Sequence, residues 1–350
     1  MIKRKPTKQL ILGNIKIGKG APVVVQSMTK TDTRDVSSTV SQIRKLQKAG
    51  CEAVRVAVLN ADAADAVKDI KKKIRIPLIA DIHFDHRLAM TVMENGVDGL
   101  RINPGNIGST QKIKEVVSSA KDKGIPIRIG VNAGSLEKDL LRKYKHPNAR
   151  ALVESAARHI KILEDFKFKA IKVSLKASNV MRTVEAYRLF SEKFRYPVHI
   201  GISEAGPAFP GTIKSAVGLG ILLSEGIGDT LRVSLTADPV EEVKVAFEIL
   251  KSLNIRQISP EIISCPTCGR CQVDIRNIVG KVEAKLAGIK KPIKVAVMGC
   301  VVNGPGEARE ADIGIAGGKG TGLLFKNGKV VKTLKERELF STLMREIKKL

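Results

Sequence analysis

Short apolar runs rich in β-branched residues alternate with amphipathic helical patterns over the first three quarters of the chain. One helical pattern places Val36, Val40, Ile43 and Leu46 on a single face and ends at Gly50. Because the apolar runs are short and bounded by turn residues, we predict that they are buried strands connected by the helices. The eight predicted strands cover residues 23–27, 53–58, 78–82, 99–103, 127–132, 171–176, 198–203 and 231–235.

Two further helical patterns show where they begin. Ser109 starts a pattern that ends at Gly124, and Asp238 precedes Pro239 as an N-cap followed by proline at the first helical position. Eight strands, each followed by a helix, match a (β/α)₈ TIM barrel in count and in total length. We therefore predict an α/β fold with an N-terminal TIM barrel. A doubly wound open sheet is the alternative that the pattern leaves open.

The alternation stops after about residue 253. From there we predict a helix over 282–286, strands over 294–298 and 312–316, a hairpin through 326–329 and a terminal helix from about 336. This order is typical of a smaller α+β domain with its own core. The predicted domains are residues 1–255 for the barrel and 256–350 for the second domain.

Two segments depart from the regular alternation of the barrel. Residues 9–21 contain Gly-Asn and Gly-Lys-Gly turn signals, which predict a hairpin that closes the bottom of the barrel. The connection over residues 133–170 is longer than the others, so we expect it to cover the opposite end.

Polar residues occupy the positions where the predicted strands end, and barrel enzymes place their chemistry at those ends. An arginine inside a barrel strand is expensive to bury unless it meets an anion. A single arginine there is explained equally well by an ion pair with Asp81 or Glu204, but several arginines with a lysine exceed the available carboxylates. Since guanidinium groups match phosphate oxygens, we predict a phosphate or diphosphate ligand in the barrel mouth. The candidate ligand-binding residues are Arg55, Arg101, Asn103, Arg128, Asn132, Lys176, Arg232 and Ser234.

Two titratable residues at strand ends are candidates for acid–base chemistry. His83 follows the third strand, where a structural histidine is the alternative. Glu204 follows the seventh strand and can serve as a general acid near a bound diphosphate or as the partner of an arginine.

The charge of the chain narrows the choice of partners. The formal net charge is +26 at pH 7, which suits nucleic acid, a polyanionic metabolite, an acidic protein, or simply a lysine-rich surface. The basic residues are spread along the chain and aromatic residues make up only 3%, so we predict no nucleic-acid binding. No segment has the length of a membrane span, and the apolar piece at residues 10–12 is too short for a signal peptide. We therefore expect a cytoplasmic protein without a membrane partner.

Four of the five cysteines lie late in the chain. Cys265, Cys268 and Cys271 form a C-x-x-C-x-x-C run, and Cys300 begins a glycine-rich loop that ends at Glu307. In a reducing compartment such a group indicates metal or redox chemistry rather than disulfides. A structural zinc site with four cysteine ligands is one interpretation, and an iron–sulfur cluster with a carboxylate ligand is the other. The ferredoxin-like Cys265-Pro266 pair and the position of Glu307 at the end of the glycine-rich loop favour the iron–sulfur cluster.

The motifs together resemble the 4-hydroxy-3-methylbut-2-enyl diphosphate synthases, iron–sulfur enzymes of the non-mevalonate isoprenoid pathway. The resemblance covers essentially the whole chain. The segments that carry it are residues 25–29 (VQSMT), 100–106 (LRINPGN), 129–135 (IGVNAGS), 172–178 (KVSLKAS), 204–206 (EAG), 226–234 (GIGDTLRVS), 264–270 (SCPTCGR) and 298–307 (MGCVVNGPGE).

The resemblance implies that the second domain is reductase-like and carries a [4Fe–4S] cluster. The implied metal ligands are Cys265, Cys268, Cys300 and Glu307. Cys271 falls where many members of the family have another residue, so we expect it to be a neighbour of the cluster rather than a ligand.

The implied reaction is the reductive ring opening and dehydration of 2-C-methyl-D-erythritol 2,4-cyclodiphosphate to 4-hydroxy-3-methylbut-2-enyl diphosphate. The two electrons would come from ferredoxin or flavodoxin through the cluster. His83, Glu204 and Glu307 are the expected catalytic residues, and Lys172 could take the role given to Lys176. Members of the family are homodimers in which a barrel meets the cluster domain of the partner subunit. The alternative function is a basic barrel protein that is stabilised by zinc and binds a phosphorylated ligand.

Overall fold

The computed structural model describes residues 2–300, 306 and 309–350. The chain divides into two compact units, Met1–Arg256 and Gln257–Leu350. We describe each unit by itself.

The first unit contains a closed parallel barrel. Its strands neighbour one another in the order β8-β7-β6-β5-β4-β3-β10-β9. The ends of this series meet because Val173 pairs with Val198 in parallel and its N–H donates to the carbonyl of Pro197 at 2.9 Å. The predicted TIM barrel is therefore confirmed and the open-sheet alternative is wrong. The barrel strands are β3 (Val24–Met28), β4 (Ala53–Ala57), β5 (Leu78–Asp81), β6 (Gly99–Ile102), β7 (Ile127–Asn132), β8 (Ile171–Lys176), β9 (His199–Ile200) and β10 (Thr230–Leu231).

The last two barrel strands are shorter than the sequence predicts. β9 and β10 each contribute only two residues to the sheet. Past β9 the backbone adopts positive φ at Glu204 (54°) and Gly206 (109°), which turns the chain out of the sheet.

The helices surround the barrel, and the two whose starts were predicted, at Ser109 and Asp238, begin there. The side chain of Asp238 accepts a hydrogen bond from the backbone N–H of Val240 at 2.8 Å, as expected of an N-cap. The long connection after β7 folds into a short 3₁₀ turn, Ala133–Ser135, and two helices. The helices are α1 (Val36–Lys48), α2 (Ala61–Lys73), α3 (His86–Glu94), α4 (Pro104–Ile107), α5 (Thr110–Asp122), α6 (Lys138–Tyr144), α7 (Ala149–Asp165), α8 (Val180–Lys193), α9 (Ala208–Ser224) and α10 (Pro239–Ser252).

The predicted N-terminal hairpin closes one end of the barrel. It consists of the antiparallel strands β1 (Leu10–Leu12) and β2 (Ile15–Ile17). The buried side chains of Leu12 and Ile17 pack with Val24, Ala53 and Ile79 from the first three barrel strands. Because these barrel residues lie at or near the strand beginnings, only the opposite end, at the carboxyl ends of the strands, remains open to a ligand.

The second unit is a mixed five-stranded sheet packed against two helices. β11 (Glu261–Ser264), β12 (Lys294–Met298) and β13 (Ile313–Gly317) are parallel, and β14 (Thr321–Lys326) and β15 (Lys329–Lys335) continue the sheet antiparallel. The helices are α11 (Ile275–Leu286) and α12 (Leu339–Ile347). The edge strand β11 was not predicted from the sequence. None of the described helices combines the length and apolar character that a bilayer crossing requires.

The β14–β15 hairpin depends on a turn that favours glycine. Asn327 and Gly328 both have positive φ, 47° and 74°, as a two-residue type I′ turn requires. We expect Gly328→Ala to lower the free energy of unfolding by about 1–2 kcal/mol, because a Cβ is strained at that φ. Gly280→Ala is the matched control: Gly280 lies inside α11 with no atom near its missing Cβ, so the change should stabilise by about 0.5–1 kcal/mol. Urea unfolding followed by circular dichroism measures both, and equal effects of the two changes would contradict this assignment of the turn.

Candidate active site

A cavity of about 820 Å³ opens at the carboxyl ends of the barrel strands. Its lining includes the barrel residues that the sequence analysis proposed for catalysis or ligand binding, except Lys172, the alternative to Lys176. These residues are Arg55, His83, Arg101, Asn103, Arg128, Asn132, Lys176, Glu204, Arg232 and Ser234. Glu307, the proposed carboxylate ligand, lies outside the residues that the structure describes. The geometry thus brings the barrel candidates together, while their individual roles stay predictions.

Cations outnumber carboxylates in this cavity. Four arginines and Lys176 line it, against the carboxylates of Asp81 and Glu204. Asp81 is buried and contacts Arg55 at 3.3 Å and Arg101 at 3.0 Å. Burial by itself would raise the pKa of Asp81, but the neighbouring arginines outweigh it and the pKa lies below its ordinary value. One ionised carboxylate therefore holds two guanidinium groups, and the excess of basic side chains over carboxylates in the lining suits an anionic ligand.

Arg101 is fixed by several contacts at once. Besides Asp81, its guanidinium donates to the carbonyl oxygen of Gly130 at 3.2 Å and to Nε2 of His83 at 2.9 Å. A Cβ on residue 130 would lie 2.4 Å from Nε of Arg101, so only glycine leaves room for this side chain. The glycine in the IGVN segment is therefore explained by the close approach of Arg101.

Arg128 presents unused donors to the cavity. Its Nη1 donates to the hydroxyl of Ser174 at 3.2 Å, while its Nε and Nη2 are buried and have no hydrogen-bond partner among the described residues. Burial, followed by repulsion from Arg55 and Arg101, lowers the pKa of Arg128 well below its ordinary value. Buried donors are normally satisfied, so this side chain is arranged to bind an acceptor that arrives with the ligand.

Two residues that shape the site were missed in the sequence analysis. Met28 places its sulfur between two guanidinium groups, 2.9 Å from Nη2 of Arg55 and 3.6 Å from Nη1 of Arg232. Glu242, on α10 and 1% exposed, lies 3.4 Å from Nη2 of Arg232 and accepts the backbone N–H of Leu235 at 3.0 Å. Met28 belongs to the VQSMT segment, but nothing in the helical pattern of α10 indicates that Glu242 reaches inward.

The two candidate lysines occupy different levels of the barrel. Lys176 lines the cavity. Lys172 lies four residues earlier on the same strand, β8, and does not line it. Lys172 is 4% exposed and its ammonium nitrogen has no hydrogen-bond partner in the described part of the chain. Burial, followed by the charge of Arg128, lowers the pKa of Lys172 from 10.5 to about 7. This arrangement favours Lys176 over Lys172 for direct ligand contact.

The two acid–base candidates differ in their surroundings. Both ring nitrogens of His83 lie near Nη1 of Arg101, Nε2 at 2.9 Å and Nδ1 at 3.3 Å, and a guanidinium can only donate, so the contact favours a neutral ring. Burial and the charge of Arg101 lower the pKa of His83, in agreement with a neutral ring. Glu204 is exposed to the cavity and is held at φ 54°, a conformation that is costly for a residue with a Cβ. Such strain at a cavity wall is typical of a functional position.

In the second unit, cysteines converge at the ends of two neighbouring strands. β11 and β12 are parallel with Ser264 opposite Val297, so Cys265 and Cys300 follow at the same edge of the sheet. The backbone N–H of Gly299 donates to the sulfur of Cys265 at 3.2 Å, a contact that also supports cluster thiolates. Cys268 is exposed, and hydrogen bonds from Arg270 lower its pKa. These thiols fit an iron–sulfur cluster in donor type.

The described cysteines do not surround a common point as metal ligands would. Over residues 2–300, 306 and 309–350, no three side chains of His, Cys, Asp or Glu stand close enough to hold a metal ion. The fifth cysteine, Cys51, is buried in the barrel, where burial raises its pKa to about 12. Cys51 therefore has no part in the cysteine group.

Comparison with known proteins identifies both units. The family model described as "GcpE TIM-barrel domain" matches residues 7–247, and the one described as "GcpE protein C-terminal domain" matches residues 261–349. The chain is 61% identical to a protein of Thermodesulfovibrio yellowstonii over 349 residues, covering 100% of both chains. It is 60% identical to a protein of Clostridium perfringens over 344 residues, covering 98% of this chain and 99% of the other. Both relatives are named 4-hydroxy-3-methylbut-2-en-1-yl diphosphate synthase (flavodoxin).

Two solved structures resemble this chain in fold alone. Dihydropteroate synthase from Stenotrophomonas maltophilia matches with a TM-score of 0.52 at 10% identity, over 71% of this chain and 98% of the other. The Yersinia pestis dihydropteroate synthase matches with a TM-score of 0.51 at 12% identity, over 70% and 98%. At such identities the comparison supports the barrel architecture alone.

The burial of Lys172 predicts a pH-dependent stability. Between pH 7 and 10.5 the unfolded chain holds a proton on this lysine that the folded chain does not, so the lysine makes stability rise with pH in that window. We expect Lys172→Met to raise the free energy of unfolding at pH 6 by about 1–4 kcal/mol, because a buried charge is removed. At pH 9.5 the gain should shrink to within about 1 kcal/mol.

The measurement is urea unfolding at both pH values in a buffer free of phosphate and sulfate. Lys114→Met, an exposed position on α5, is the control and should change stability at neither pH. A loss of stability in Lys172→Met of equal size at pH 6 and pH 9.5 would contradict the prediction.

Proposed function

The chain belongs to the GcpE family, and on that premise we propose that it is a 4-hydroxy-3-methylbut-2-en-1-yl diphosphate synthase. In this role it is an iron–sulfur oxidoreductase. It converts 2-C-methyl-D-erythritol 2,4-cyclodiphosphate into 4-hydroxy-3-methylbut-2-enyl diphosphate by a two-electron reductive ring opening with loss of water. The observation that carries this proposal in the structure is the group of cations around one cavity. The zinc-stabilised binding protein is not favoured, because the family match covers both units.

The barrel unit is the proposed substrate domain. The cavity cations would bind the diphosphate, and the unused donors of Arg128 would meet its oxygens. Asn103 and Asn132 add amide groups to the lining, and Ser234 adds a hydroxyl. As the ring opens, negative charge grows on the released diphosphate oxygen, and the fixed guanidinium groups stabilise it without rearrangement. Arg101 is the most constrained of these groups and therefore the best preorganised.

The second unit is the proposed cluster domain. We propose that Cys265, Cys268 and Cys300, with Glu307, hold a [4Fe–4S] cluster. When bound, the cluster supplies the two electrons and an iron centre that acts as a Lewis acid. The exposure of Cys268 allows it to turn toward the other thiols, and the hydrogen bond to Cys265 fixes one sulfur in advance.

Glu204 is the proposed proton donor to the oxygen that leaves as water. Glu204 lines the cavity that would receive the substrate, and a carboxylic acid there can donate a proton. Both ring nitrogens of His83 face Nη1 of Arg101, so we assign His83 the role of positioning that arginine. A role of His83 as proton donor requires that the substrate displaces the Arg101 contact.

The proposed protein partners rest on the names of the relatives and on the net charge of the chain. The relatives' names include flavodoxin, and we propose a flavodoxin as the electron donor, with ferredoxin as the alternative. The net charge of +26 favours association with such an acidic protein. We also propose that the chain acts in the cytoplasm, as a homodimer in which each barrel uses the cluster of the partner subunit.

The catalytic proposal is tested under strict exclusion of oxygen. We expect reconstituted protein to be brown with about four irons per chain, and to convert the cyclic diphosphate with dithionite-reduced viologen or reduced flavodoxin. Arg128→Met should reduce kcat/KM by about 100-fold or more with the cluster intact, because it removes charge only from the barrel. Lys114→Met should match the parent protein. Colourless protein with one zinc per chain would instead establish the alternative function.

The homodimer proposal is tested by complementation between two inactive variants. Arg128→Met disables the barrel and Cys268→Ser disables the cluster domain, and two affinity tags isolate the mixed dimer. If each active site combines two subunits, one of the two sites in the mixed dimer is intact, and it should show about half of the parent activity. If each site lies within one chain, the mixed dimer should be as inactive as either variant alone.

A further inference from the structure

Two of the cysteine sulfurs lie against the same glycine. A Cβ on residue 299 would lie 2.4 Å from the sulfur of Cys271 and 3.2 Å from the sulfur of Cys265. The two sulfurs therefore cannot be further apart than the sum of these distances. Gly299 is the residue that leaves both of them room. Cys271, which the sequence analysis set aside as a neighbour of the cluster, is thus the close partner of a proposed ligand.

Both sulfurs are held in place from the backbone. Cys265 accepts a hydrogen bond from the N–H of Gly299, and the thiol of Cys271 donates to the carbonyl of Val273 at 3.2 Å. Both side chains are half-buried and pack against the core of the second unit. The backbone around Cys271 is fixed too, since its N–H donates to the carbonyl of Cys268 at 2.9 Å. Cys268, in contrast, is exposed.

We propose that Cys265 and Cys271 form a reversible disulfide when the cluster is absent. Because the two sulfurs lie against the same glycine, we expect side-chain rotation to bring them to bonding distance. The oxidant is a low-molecular-weight disulfide. Its S–S bond and two protein S–H bonds are exchanged for the protein S–S bond and two small thiols, so the oxidant gains the two electrons that the protein thiols lose.

This disulfide would protect Cys265, a proposed cluster ligand, from oxidation while the protein is without its cluster. A free thiolate can be oxidised irreversibly to the sulfinic acid, whereas a disulfide returns to thiols on reduction. Disulfides in a reducing compartment are typically transient, which agrees with a pair formed only in cluster-free protein. The pairing itself does not require the proposed function. Its consequence, that the disulfide must be reduced before the cluster is loaded, rests on the proposed role of Cys265.

Trypsin offers a direct test because it cleaves after Arg270, between Cys268 and Cys271. Cluster-free protein is treated with glutathione disulfide, its remaining thiols are alkylated, and the digest is examined by mass spectrometry. We expect the peptide of residues 257–270 to be linked to that of residues 271–276. Fragment ions that separate Cys265 from Cys268 should place the link on Cys265. Absence of the linked peptide would overturn the proposal.

Three variants identify the bonded pair. Cys268→Ser should keep the linked peptide, while Cys265→Ser and Cys271→Ser should lose it. A link that survives Cys265→Ser would show that Cys268 is the partner and would overturn the assignment. The fragment ions of the unaltered protein decide the same question if a variant fails to fold.

Iron uptake supplies a second readout. Oxidised protein should bind several-fold less iron than reduced protein on reconstitution, and dithiothreitol should remove the difference. Equal uptake would overturn the proposed effect on loading. The linked peptide is measured without cluster or substrate, so protein that forms the link but does not convert the cyclic diphosphate would contradict the proposed function alone.

Discussion

Burial of like charges inside a closed barrel is the constraint on which this structure depends. Arg55, Arg101, Arg128, Lys172 and Lys176 are all more than nine-tenths buried, and among them Asp81 is the buried carboxylate that contacts two. Such an interior opposes folding, because these side chains lose hydration on burial and repel one another in their charged forms. The barrel tolerates it since the surrounding strands, the helices and the N-terminal hairpin bury a large apolar shell outside the strands and at the closed end.

The sequence predicts much of this site because strands have a period of two. Arg128 and Asn132 on β7 alternate with apolar neighbours, so their side chains must face the barrel interior together. The inward position of Glu242 and the strand β11 were not predicted, and both omissions have a physical reason. Glu242 belongs to an outer helix whose pattern shows only an amphipathic surface, and its inward reach depends on how that helix packs. β11 is a short edge strand with half-buried residues, which gives a weak apolar signal.

The cysteine group shows the same division between local pattern and long-range pairing. The C-x-x-C spacing indicates metal chemistry, but it cannot show which sulfurs meet. The contact of Cys265 with Gly299 follows from the parallel pairing of β11 with β12 and joins residues more than thirty positions apart. Cys271 joins them because the backbone turns back between Cys268 and Cys271. Tertiary pairing therefore decides which thiols are neighbours.

The buried cations that favour anion binding also destabilise the fold, and the contacts of the arginines show how the barrel meets both requirements. A ligand with several negative charges would supply acceptors for the free donors of Arg128 and would reduce the repulsion among the cations. Part of its binding free energy would therefore come from removing the free-energy cost of burying these charges. That relief is available only if the cations cannot separate beforehand. Asp81, Gly130 and Met28 prevent such separation by holding Arg55 and Arg101 in place. The rigid surroundings of these arginines are therefore as important for binding as their charge.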